Sequence, residues 1–200
     1  MKIQDAQTLP VGLHWLVKTL SADLQSLFVD MRSLATLIND ASAGYHSKLN
    51  AYVFHDTCIL LGYRTIHISP LRGPRPTSRL ENMIHLGLAV FIMTFLRGLN
   101  RKIPNMPLLS NLVRSAAQEH LSGDREHGEM ILWILFVGRA SIFGDAEDIW
   151  LVPKAAKTIR SLGLGSWEAV GETLAMFPWV NDVHDKLGHA LWHNSTLFST

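Results

Sequence analysis

With ten histidines among 200 residues, metal and acid–base chemistry are the first possibilities to weigh. His189 and His193 stand four residues apart and Asp185 lies one turn earlier, so on a helix the three share a face that could hold zinc. Ala190 follows His189, where a zinc peptidase of the His-Glu-x-x-His kind carries its base, and no other cluster stands ready to complete the ligand set. Solvated histidines on a helix surface are therefore the plainer reading. His120, Asp124, Glu126, His127 and Glu129 form the only dense ionisable group, able to do acid–base work if burial shifts its pKa values. They straddle the turn Ser122-Gly123-Asp124, which favours a solvated helix start. Trp167, Trp179 and Trp192 would either pack as core or wall an apolar ligand pocket.

Cys58 is the only cysteine, which excludes an internal disulfide and a multi-cysteine metal site, and its apolar surroundings from Val53 to Leu61 suggest a buried, inert thiol. Gly163 and Gly165 follow a helix and suit its termination better than phosphate binding. No Ser/His/Asp or Cys/His arrangement is signalled. Accordingly no catalytic, cofactor-binding or metal residue is assigned, and no cofactor is expected.

The span from Arg64 to Lys102 holds Arg64, Arg72, Arg75, Arg79, Arg97, Arg101 and Lys102 against Glu81 alone. Its possible matches are phosphate, an acidic partner, or the chain's own acidic region from Glu119 to Asp148. Phe91 and Phe95 lie inside an apolar helix and offer bases no stacking platform. The net charge of +1 and pI near 8.0 give no long-range field for a phosphate backbone.

These residues must be positioned by helices. The apolar fraction of 48%, charged fraction of 18% and mean hydropathy of +0.14 describe a globular chain with one sizeable core over residues 1–200. Such an apolar surplus reflects a large helical core or a surface that expects a partner. Leu13, Leu16, Leu20, Leu24, Leu27, Met31, Leu34 and Ile38 recur at three and four residues, which predicts an amphipathic helix or two in line. A helix from Ser47, its possible cap, to about Ile66 would turn Tyr52, Cys58, Ile59 and Tyr63 inward.

Pro70, Gly73, Pro74 and Pro76 mark a loop, and Thr77 or Ser78 then caps a helix to about Leu99. Further helices are expected over Leu108–Leu121, Arg125–Phe143, Ala146–Ser161, Ser166–Met176, and from Asn181 or Asp182 to His193. Pro153 is tolerable only in the first two turns of its helix or as a kink. The expected fold is all-α, an irregular bundle of about eight helices. Met1-Lys2-Ile3-Gln4-Asp5 lacks the apolar run of a secretory signal, and Leu86–Leu96 is too short to span a bilayer and is expected to be a core helix.

Several pieces occur together in a fixed order. They are Leu132-Trp133 through Gly138, Trp150, Leu162-Gly163-Leu164, Ser166-Trp167-Glu168 with Val170, Phe177-Pro178-Trp179, and Asp185, Gly188 and Leu191-Trp192. Tyr63-Arg64, Pro70-Leu71 and the Leu86–Leu96 helix precede them. In this order and spacing, residues 50–195 resemble the fungal-specific transcription factor domain of fungal binuclear zinc-cluster regulators. That family reads DNA through a six-cysteine cluster holding two zinc ions, which a chain with one cysteine cannot build.

The resemblance implies a regulator in the nucleus of a fungus, governing a metabolic or secondary-metabolite gene cluster. It would act through dimerisation with itself, contact with other regulators or sensing of a small-molecule effector, without sequence-specific DNA binding of its own and without a membrane. The alternative reading is a small helical enzyme or ligand carrier of the same pathway with an apolar pocket.

Overall fold

The computed structural model describes residues 13–47, 49–99, 106–118 and 124–198. Among them every regular element is helical and no strand occurs, so the fold is all-α.

The first leucine stripe resolves into α1 (His14–Thr19) and α2 (Ala22–Ser42), separated at Leu20, whose backbone is extended. Leu13, Leu16, Leu20, Leu24, Leu27, Met31 and Leu34 are buried, as their spacing predicts, and Ile38 is half-buried. The next helix, α3 (Ala51–Ile68), starts later than expected. Its cap is Asn50, whose side chain accepts from Tyr52 N–H at 2.9 Å and Val53 N–H at 3.3 Å, so Ser47 stands outside it. After the Pro-rich loop, Ser78 Oγ accepts from Glu81 N–H at 3.4 Å and α4 (Arg79–Leu99) begins.

The remaining helices are α5 (Pro107–Gln118), α6 (Arg125–Ser141), α7 (Asp148–Leu162), α8 (Trp167–Leu174) and α9 (Asn181–Leu197). The expected end of α5 at Leu121 lies outside the described residues. Helix α6 stops short of Phe143 because the N–H groups of Ile142 and Phe143 both bond to the Gly138 carbonyl. A 3-10 turn, Asp145–Glu147, leads into α7. Pro153 falls in the second turn of α7, and Gly163 ends that helix at φ +69°, a left-handed conformation that favours glycine. Ser166 caps α8 by accepting from Ala169 N–H at 3.3 Å.

Leu132 to Gly138 is buried on every side because α6 runs through the middle, packed against α4, α5, α7, α8 and α9. Helix α4 lies beside it and also meets α2, α3 and α5. By length and composition Arg79–Leu96 could cross a membrane, with a mean hydropathy of 1.3, yet 61% of that segment is buried inside the bundle. It is a core helix. The buried apolar residues form one cluster reaching from Leu13 to Leu191.

Candidate functional site

Most of the C-terminal residues that could have formed a metal site or an aromatic pocket are occupied by packing. Asp185 accepts a hydrogen bond from Trp179 Nε1–H at 2.8 Å, and His189 stands edge-on to Trp167 at 5.4 Å between ring centres. His193 is exposed, and no group of three His, Cys, Asp or Glu able to hold a metal occurs among the described residues. Gly188 lets α9 approach the indoles, since a Cβ there would lie 3.0 Å from Trp167 and 3.2 Å from Trp179. Trp167 in turn lies near-parallel to Phe136. The tryptophans thus fix α8 and α9 onto α6.

Two α2 residues hold the turn between α8 and α9. Arg32 Nε–H donates to the Met176 carbonyl at 3.0 Å. Asn39 donates to the Trp179 carbonyl at 2.9 Å and accepts from Asn181 N–H at 3.0 Å. The sequence reading gave neither residue this role.

Of the acid–base group, His120 lies outside the described residues. Asp124 and Glu126 are exposed, and Glu129 pairs with Arg125 at 2.9 Å in α6. Two arginines of the basic span have partners outside the Glu119–Asp148 region. Arg64 pairs with Asp30 of α2 and donates to Ser26 Oγ at 3.1 Å, while Arg75 donates to Asn82 at 2.9 Å and to His85 Nδ1 at 2.9 Å. Arg101 and Lys102 lie outside the described residues.

His85 and His184 are the fully buried histidines of the described residues. His85 accepts from Arg75 through Nδ1, so its Nε2–H donates to the Thr65 carbonyl at 2.8 Å, tying α4 to α3. Burial lowers its pKa, the Thr65 bond opposes that, and the Arg75 charge adds to it. His184 accepts the Val180 N–H at Nδ1 over 2.9 Å and stacks near Trp179 and Phe91, and burial pushes its pKa down to about 4. Both rings are neutral structural links. Cys58 is buried too, which raises its thiol pKa to about 11 and makes it unreactive.

A small cavity lies between α3, α4 and α5, lined by Gly62, Ile66, His85, Ala89, Met93 and Leu109. Its volume of about 80 Å³ is well below the ~300 Å³ at which ligand pockets begin. Nothing convergent or polar lines it beyond groups already bonded to one another.

The outer face of α3 is the feature left over. Tyr52 is 83% exposed, Tyr63 71%, Leu60 59% and Ile66 55%, with Val53 exposed beside them. Tyr52 and Tyr63 therefore point outward, against the expectation from sequence. The inward stripe is Cys58, Leu61, Gly62 and Thr65, placed against α4, where Gly62 leaves room for Leu96. Next to the exposed face runs an open groove between α2 and α3, lined by Asp30, Val53, Asp56, Leu60 and Arg64. Other exposed large apolar residues, such as Tyr45, Ile149, Leu197 and Phe198, lie on other segments.

No protein-family model matches the chain, and no curated protein or solved structure matches it.

Proposed function

We propose that the chain is a regulatory interaction module of the transcription-regulator kind, acting through protein contact and without reading DNA itself. The observation that carries the reading is the exposed apolar face of α3. The ordered motifs from Leu132 to Trp192 support it further, because they are the residues that build the α6, α8 and α9 core. An enzyme or carrier would need a deep pocket with convergent polar groups, whereas the cavity beside His85 is small and apolar and the larger hollows, about 540 Å³ between α2 and α3 and about 510 Å³ beside Gly163, are open grooves, which favours the module. The nuclear setting and control of a fungal metabolic gene cluster follow from the resemblance and belong to the same proposal.

Fusing the chain to an unrelated DNA-binding domain in a fungal reporter strain tests it. Reporter output should change several-fold, and a lysine replacing Leu60 should abolish the change while the protein level stays constant. An expressed fusion that leaves the reporter unaltered would refute the regulatory role. In a mobility-shift assay at physiological salt, the unfused chain should show no preference among DNA sequences.

A further inference from the structure

We infer that the partner of the α3 face is a second copy of this chain, docked α3 against α3 in antiparallel orientation about a twofold axis between Ile59 and Leu60. The inference rests on the interaction-module reading and gives that module its partner.

Helix geometry defines the face. At about 100° per residue, Tyr52, Asp56, Ile59, Leu60, Tyr63 and His67 fall within roughly 50° of one direction, with Val53 and Ile66 on its flanks. Cys58, Leu61 and Thr65 occupy the opposite side and are buried. A twofold axis at the midpoint brings together residues equally distant from it. Tyr52 then meets His67 of the second copy and Ile59 lies across the axis from Leu60, while Val53 and Ile66, on opposite flanks of the face, border its two margins.

The polar members match as well. Asp56 meets Tyr63 of the second copy, so a phenol O–H can donate to a carboxylate, and this happens twice per pair. The Asp56 side chain is 84% exposed, with only the imidazole of neighbouring His55 nearby at 3.6 Å. Parallel pairing would instead set Asp56 against Asp56, a like-charge contact that disfavours it. His55 and Arg64 lie on opposite margins of the face and do not meet, and the Arg64 guanidinium is held by Asp30 and Ser26 of its own copy.

Area agrees with a modest dimer. The exposed parts of Tyr52, Val53, Leu60, Tyr63 and Ile66 amount to roughly 600 Å² per copy, so pairing removes at most on the order of 1,200 Å², the lower edge of specific interfaces. Area alone does not set affinity; association in the micromolar range is the expectation for so small an interface.

Sedimentation equilibrium of the purified chain from about 1 µM to about 500 µM is the test. The mass should rise from the 22.4 kDa of one chain towards twice that value. Tyr63→Glu sets a carboxylate against Asp56 at two places and should weaken association at least about tenfold. Adding Asp56→Lys to Tyr63→Glu should restore it to within about threefold, because the introduced lysine and glutamate then face each other.

Both positions are exposed, and far-UV circular dichroism should show an unchanged helical content in each variant. A monomer at every concentration, a dimer indifferent to Tyr63→Glu, or no restoration in the double variant overturns the inference. A monomeric chain that still drives the reporter overturns self-pairing alone, whereas a dimer with a silent reporter overturns the regulatory reading alone.

Discussion

Replacing Gly87 by alanine sets helix propensity against packing. Within a helix, alanine is favoured over glycine by about 1 kcal/mol, so local sequence reasoning predicts a more stable protein. In the bundle, Gly87 of α4 faces Trp133 of α6. A Cβ there would stand 2.4 Å from Trp133 Cζ3, 2.7 Å from Cη2 and 3.1 Å from Ile134 Cγ1. Carbon atoms pack at about 3.5–4.0 Å, so the indole edge would have to retreat by roughly 1 Å. It has nowhere to go. Trp133 is fully buried, lies 5.1 Å from Phe177 at 10° between ring planes, and donates its Nε1–H to the Pro178 carbonyl at 3.0 Å.

Overpacking of this kind costs ~1–3 kcal/mol, and a wall this constrained belongs at the upper end. Set against the propensity gain, Gly87→Ala should destabilise the fold by about 1–2 kcal/mol. Urea titration followed by tryptophan fluorescence would measure it as a lower midpoint at unchanged slope. Gly171→Ala in α8 is the control, because a Cβ there meets nothing within 4 Å and should add ~0.4–1 kcal/mol. Trp133→Phe removes the ring edge that collides, so the double variant with Gly87→Ala should be more stable than additivity predicts by about 1 kcal/mol. If Gly87→Ala gains as much stability as Gly171→Ala, the close approach of α4 and α6 is wrong.

Asn39→Ala removes two hydrogen bonds to the turn before α9 and should lower stability by about 1–3 kcal/mol, whereas Asp40→Ala on the same helix should stay within ~0.5 kcal/mol. Thermal melts of the two variants side by side decide it, and equal melting temperatures would remove the turn-holding role. His184 makes the fold acid-sensitive: its pKa is about 4 when folded against ~6.5 when unfolded. The neutral ring therefore stabilises fully above the unfolded value, and this contribution declines as pH falls towards 4, by on the order of 3 kcal/mol in total. Burial lowers His85 as well, which steepens the same limb. His184→Asn, whose side-chain oxygen can take the Val180 N–H, should flatten urea midpoints between pH 7 and pH 5. An equally steep decline in that variant would assign the sensitivity elsewhere.

How much of this was legible in the sequence depends on how far each residue's partner lies along the chain. The stripe from Leu13 to Leu34 reads directly because polar residues separate its turns, so only one face can be buried. Leu132 to Gly138 reads just as directly because it offers no polar face. Ser166 caps a helix through a group three residues away. Arg32 and Asn39 carry no such local sign, since the carbonyls they reach belong to residues 144 and 140 positions distant. Asp30, the partner of Arg64, was hidden in the same way.

The phase of α3 was ambiguous for a different reason. Ile59-Leu60-Leu61 is apolar around half the helix, and tyrosine tolerates either side, so two inward faces fit the pattern about equally well. Packing against α4 decided between them, because Gly62 and Thr65 can lie close to a neighbouring helix where Tyr63 and Ile66 cannot. Burying one of two apolar faces leaves the other uncovered. The apolar surplus visible in the composition is therefore divided between the core around α6 and exposed side chains, among them those on the outer side of α3.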